Sequence, residues 1–194
     1  MRKLFLFTFI SLSGILFLSC KKGEDDPLIS VLSRKSRVSG EWKLEKAEIS
    51  IGIKDSTGAY SAYVYKLAGS NYEFINTGKG ATFRGKSSLT ASFSRNGVFT
   101  FKQVLDSVSL TSIGFWDFQG HVGKAKNKEY ITFHLETIDG NSGKLQMFNK
   151  TTVDFIYKIK ELRNKKMVLI CEEEPVVMKK GYSFYITSEY TFVQ

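Results

Sequence analysis

Few residues in this 194-residue chain have the types and spacing that chemistry requires. His121 and His134 stand on different expected elements, and neither has a second His or Cys at ligand spacing; a zinc site needs three or four ligands. Asp106, Asp117, Glu136, Asp139 and Asp154 are the carboxylates that could pair for glycoside hydrolysis, a reaction that demands a defined separation between two acids. Asp117, between Trp116 and Phe118, falls on the opposite strand face from both rings, toward solvent or a rim hydrogen bond. Glu172-Glu173-Glu174-Pro175 reads as a solvated strand exit. There is no Gly-x-Ser-x-Gly elbow, P-loop or His-Glu-x-x-His run, and no serine has a His and Asp context. The expectation is a chain that is not an enzyme and takes no metal or cofactor. Two thiols remain. Cys171, in Val168-Leu169-Ile170-Cys171, reads as a small buried apolar residue. Cys20 closes the apolar run Leu16-Phe17-Leu18-Ser19-Cys20 and directly precedes Lys21-Lys22-Gly23-Glu24-Asp25-Asp26.

The element that positions Cys20 is the N-terminal segment. Arg2 and Lys3 form a positive start, and Leu4–Leu18 is apolar apart from a few small residues. That is the length of a secretory core, shorter than the roughly 20 residues needed to span a bilayer. The arrangement resembles a bacterial lipoprotein signal, with Phe17 where Leu is usual; the alternative is an ordinary signal cut after Ser19, with Cys20 incidental. The resemblance implies removal of residues 1–19 and acylation of Cys20. Several acyl chains, each buried CH₂ contributing roughly 0.8 kcal/mol, make a stable membrane anchor. The charged run after Cys20 resembles the surface-export signal of Bacteroidetes-type lipoproteins, or is simply a solvated spacer. The expected location is the outer membrane, facing the cell surface.

About 175 residues remain after residue 19, enough for one domain with a proper core. Residues 20–36 read as lipidated Cys and tether, extensible by roughly 3.3 Å per residue, with one helical turn around Leu28–Ser33, and 37–194 as the domain. The mature net charge falls from +9 to about +7, because Arg2 and Lys3 leave with the signal. Basic residues gather at Lys158, Lys160, Arg163, Lys165 and Lys166 and at Lys179-Lys180, as solvated turns; no nucleic-acid motif is present. Aromatics reach 14%, and no stretch holds a 3.6-residue period, which favours an all-β domain.

Alternation places strands over Glu41–Ile53, Ser87–Ser94, Val98–Leu105, Ile113–Gln119, Tyr130–Thr137, Val153–Leu162, Lys166–Glu172 and Ser183–Val193. Shorter β-like pieces, Ala62–Leu67 and Tyr72–Ile75, lie inside a polar insertion, Lys54–Gly80, whose Tyr60, Tyr63 and Tyr65 look exposed. Arg95-Asn96-Gly97, Lys126-Asn127-Lys128 and Arg163-Asn164-Lys165 read as hairpin turns between consecutive strands. About eight main strands in up-and-down order predict an antiparallel β-barrel; a two-sheet sandwich is the alternative.

Gly40-Glu41-Trp42, at the start of the first strand after a short lead-in, resembles the signature of lipocalin-like, calycin-type barrels. Gly114-Phe115-Trp116 repeats the pattern mid-chain. The resemblance covers residues 37–194 and implies that Trp42 plugs a closed barrel end, with Arg163 as the arginine packed over it. The chain departs from that family in having no Thr-Asp-Tyr motif, no disulfide and no evident C-terminal helix. Two functions follow. In one, the anchored barrel holds a small apolar or amphiphilic ligand, with Phe99, Phe101, Phe133, Phe155, Tyr157 and Tyr190 facing inward, or those same side chains fill a solid core. In the other, a structural or interaction lipoprotein docks a protein or glycan through its surface or the 54–80 insertion.

Overall fold

The computed structural model describes residues 32–54, 57–58, 60–120, 129–140, 143–146, 153–172, 176–177 and 183–194. The signal segment, Cys20, the tether up to residue 31, His121, the turn at 126–128, Glu173–Pro175 and Lys179-Lys180 lie outside the described residues. A single helical turn, α1 (Arg34–Val38), follows Ser33, whose side chain caps it by accepting from the Ser36 N–H at 3.1 Å. It starts just after the stretch where the sequence suggested a turn.

Everything else described is β-structure. The strands are β1 (Gly40–Lys54), β2 (Tyr60–Ala68), β3 (Asn71–Asn76), β4 (Ala81–Phe93), β5 (Val98–Leu105), β6 (Val108–Phe118) and β7 (Tyr130–Gly140). They continue as β8 (Gly143–Gln146), β9 (Val153–Leu162), β10 (Lys166–Glu172), β11 (Val176–Val177) and β12 (Ser183–Val193). Neighbours pair antiparallel in chain order, and β12 returns to pair with β1 from Lys43↔Val193 to Lys54↔Ser183. The sheet therefore closes on itself, which rules out two separate sheets and leaves the wall without a free edge. β8 and β11 are short additions to β7 and β12.

The expected count of about eight strands needs correction, for a specific reason. At one end β1 pairs directly with β4, Gly40↔Phe93 to Lys43↔Thr90. From Lys46 onward β1 pairs instead with β2, and β3 pairs with Ala81–Lys86 of β4. The β2–β3 hairpin thus wedges into the wall over half the barrel's height. The wall is ten strands around, but only its eight long-range neighbours meet at the Gly40 end. The segment expected as a surface insertion is part of the barrel.

Strand alternation then sorts the side chains. Trp42, Leu44, Phe93, Phe99, Phe133 and Ile159 are buried inside, while Glu41, Lys43, Lys46 and Glu48 of β1 face out. Outward charges pair across strands, as in Arg84–Glu73 at 2.6 Å and Lys66–Glu48 at 3.9 Å.

The Gly40 end is sealed. Trp42 is 2% exposed and donates its indole N–H to the Val38 carbonyl at 2.7 Å, so α1 lies across the barrel floor. Phe93 meets the Trp116 ring edge-on at 5.9 Å, and Trp116 donates to the Ser94 carbonyl at 3.2 Å. Gly114 explains the second Gly-x-Trp: a Cβ there would lie 2.0 Å from the His134 carbonyl oxygen and 2.9 Å from the Phe99 ring. Only glycine lets β6 and β7 approach at the register shift beside it. The arginines buried at this end are Arg34 and Arg37, both on α1, and Arg37 donates to the Leu162 carbonyl. Arg163 is not the buried arginine: its side chain is 60% exposed and pairs with Glu161 at 2.5 Å, because it follows β9 in the hairpin to β10. Glu161 is buried and also receives Lys166 at 2.8 Å.

Candidate functional site

Above the sealed floor, the interior is built from rings. Phe133 sits among Phe93, Phe99, Phe101 and Tyr157, at centroid distances of 5.7, 5.4, 5.4 and 5.6 Å. Tyr157 continues to Tyr190 at 5.8 Å. These rings come from β4, β5, β7, β9 and β12, so one aromatic layer crosses the barrel.

Beyond that layer the interior is open. A cavity of about 410 Å³ lies in the half of the barrel where β2 and β3 widen the wall. All six inward residues singled out in the sequence, Phe99, Phe101, Phe133, Phe155, Tyr157 and Tyr190, line it. The interior is therefore both filled and hollow, in different halves. Sequence reasoning missed the lining from the other wall, including Ile49, Tyr65, Leu67, Leu89, Gln103 and Leu110. Tyr63 and Tyr65, read as exposed docking residues, are half-buried: Tyr63 stacks on Phe74 at 5.8 Å and Tyr65 packs tilted against Tyr72 at 5.6 Å. Phe83 extends this row at 6.2 Å from Phe74 and is 59% exposed at the mouth. The missed signal was the alternation Tyr63-x-Tyr65 against Tyr72-x-Phe74, which matches one face of a hairpin.

Polar groups gather on one side of this open end. Asp106, in the β5–β6 turn with φ +50°, accepts the Lys86 N–H and the Tyr72 hydroxyl, each at 2.8 Å. Its carboxyl lies over Gly85, where a Cβ would come within 2.5 Å of Oδ1. The Lys86 amide, then Tyr72, hold the Asp106 carboxyl below its ordinary range; the bond to Asp106 raises Tyr72 in turn. Tyr65 has its hydroxyl buried with no hydrogen-bond partner among the described residues. Burial, reinforced by Tyr72 and Asp106, pushes that phenol up to about 12, so it stays protonated. Tyr190 is also raised, chiefly by burial, and is engaged by Ser188 and Tyr157.

The other candidates for chemistry lie apart. His134 is on the outer wall, with Nδ1 2.8 Å from Asp154 and Nε2 3.6 Å from Asp117, on the face opposite Trp116 and Phe118 as expected. Glu136 and Asp139 are exposed, and no group of three potential metal ligands occurs among the described residues. Cys171 is a buried thiol that forms no disulfide among the described residues. No described helix is long and apolar enough to cross a membrane. No protein-family model, curated protein or solved structure matches this chain.

Proposed function

We propose that this chain is a lipocalin-like lipoprotein, anchored through Cys20 in the outer membrane and facing the cell surface, whose barrel binds a small apolar or amphiphilic ligand in its open half. The observation that carries the reading is the cavity of about 410 Å³ lined by Phe, Tyr, Leu and Ile side chains. Ligand pockets are typically some 300–1,000 Å³, mostly apolar, with a few placed polar groups. The wall supports a barrel held outside the bilayer: its outer face carries charges and its interior is apolar, the reverse of a lipid-facing barrel. The reading assigns no catalytic step. A docking role for residues 54–80 is less favoured, because Tyr63, Tyr65 and Phe74 are occupied with one another on the inner face.

The ligand reading is tested by native mass spectrometry of protein extracted from its own cells; an adduct of a few hundred daltons is expected, and bare chain throughout would contradict it. Anchoring is tested by feeding cells an alkyne-bearing fatty acid. The wild type should be labelled and Cys20→Ala should not; equal labelling would sink the assignment of Cys20.

A further inference from the structure

The cavity has a polar corner whose chemistry restricts what it accepts. Tyr65 lines the cavity, yet its hydroxyl is buried without a partner among the described residues. Ser87, 5% exposed, is a second buried hydroxyl in the same state, on the inner row of β4 between Gly85 and the cavity-lining Leu89. A buried hydroxyl left unpaired costs free energy that an incoming polar group would relieve. Of the neighbouring tyrosines, Tyr72 donates to Asp106 and Tyr190 is engaged by Ser188 and Tyr157; the other polar lining, Gln103 and Ser112, is neutral.

The charge at this corner has one sign. Asp106 is fixed over Gly85 by two hydrogen bonds and carries a negative charge at neutral pH. No Lys, Arg or His lines the cavity among the described residues. The nearest cations on these strands are turned outward, Lys86 to Asn71 at 2.9 Å and Arg84 to Glu73 at 2.6 Å. A carboxylate head group at Tyr65 would lose its hydration against a wall that offers no counter-ion, with Asp106, exposed at the rim outside the cavity lining, adding a like charge nearby. A neutral hydroxyl or carbonyl meets no such penalty and finds the Tyr65 hydroxyl, which can both donate and accept.

We propose that the cavity selects neutral amphiphiles, with a hydroxyl or carbonyl head group hydrogen-bonded to Tyr65 Oη and an apolar tail against Leu89, Phe101 and Phe155, and discriminates against fatty-acid carboxylates. This rests on the ligand-binding reading above. The test is displacement of the fluorescent probe N-phenyl-1-naphthylamine from the purified protein by 1-decanol and by decanoate at about pH 8, where the acid is ionised. The alcohol should bind at least about tenfold tighter than the acid. Asp106→Asn keeps an oxygen acceptor for the Lys86 N–H and suits the positive φ, while the Tyr72 hydroxyl turns to accept from the new amide N–H; the charge is removed with the corner's contacts retained, and the gap should narrow to about threefold or less. Tyr65→Phe should weaken decanol about fivefold or more relative to the probe's own affinity for that variant. Decanoate binding as tightly as decanol, or a gap unmoved by Asp106→Asn, would overturn the selectivity with the cavity reading intact. No saturable probe binding to the wild type would overturn both.

Discussion

The two ends of this barrel share the same long strands and differ in how many strands surround them. At the Gly40 end β1 meets β4 directly, and the interior closes on Trp42, Phe93, Trp116 and Leu162. At the other end the β2–β3 hairpin separates those strands, and the rings no longer reach across. A barrel of eight strands is just wide enough for side chains to fill. Two more strands over half its height leave the space that the cavity occupies. The difference teaches that a solid core and an open cavity need not be alternatives: a partial insertion gives one barrel both.

The comparison can be broken first at the sealed end. Trp42→Ala removes a buried ring and its hydrogen bond to Val38, and should cost about 3–5 kcal/mol. In a chain of this size that lowers the thermal midpoint by about 10 °C or more, read by circular dichroism. A drop of only a degree or two would mean that the floor is not the stabilising half.

A smaller effect is expected from the open end at high pH. The Tyr65 phenol titrates at about 12 in the folded chain against an ordinary 10. A raised value means that the folded state holds the proton more tightly. The contribution is fully present below about pH 10 and is lost as pH rises through about 12. Tyr190 and Tyr72 are raised as well, so the informative quantity is the difference between wild type and Tyr65→Phe. Denaturant unfolding between those pH values should show the wild type losing stability faster than the variant; parallel curves would contradict the buried environment of the Tyr65 hydroxyl. The smallest effect belongs to the rim. Phe83→Ala, at a ring 59% exposed, should change stability by less than about 1 kcal/mol by the same assay.

Much of this architecture was legible along the chain. Val153–Leu162, Lys166–Glu172 and Ser183–Val193 are strands at the bounds their alternation set, and Gly40-x-Trp42 marks the plugged end. Period-2 patterning states which residues share a face, so the six inward aromatics could be named. What it does not state is which strands become neighbours. Tyr63 and Tyr65 looked exposed because polar turn residues surround them; only pairing with β1 and β3 turns them inward. Arg163 had the sequence position of a capping arginine, while the buried arginines are Arg34 and Arg37 of α1, the latter bonded to the Leu162 carbonyl. Asp106 was noticed only as one of several acids. Its position rests on Tyr72, Gly85 and Lys86, which the fold brings to it from β3 and β4.

The central claim is that the open half, and not the sealed half, takes a ligand. Leu89→Trp tests it most directly, since Leu89 lines the cavity and the larger ring would occupy the space. Fluorescence titration with N-phenyl-1-naphthylamine should give one saturable site per wild-type chain and a loss of affinity of about tenfold or more in Leu89→Trp. Wild type and variant binding the probe equally, or neither binding it, would contradict the account.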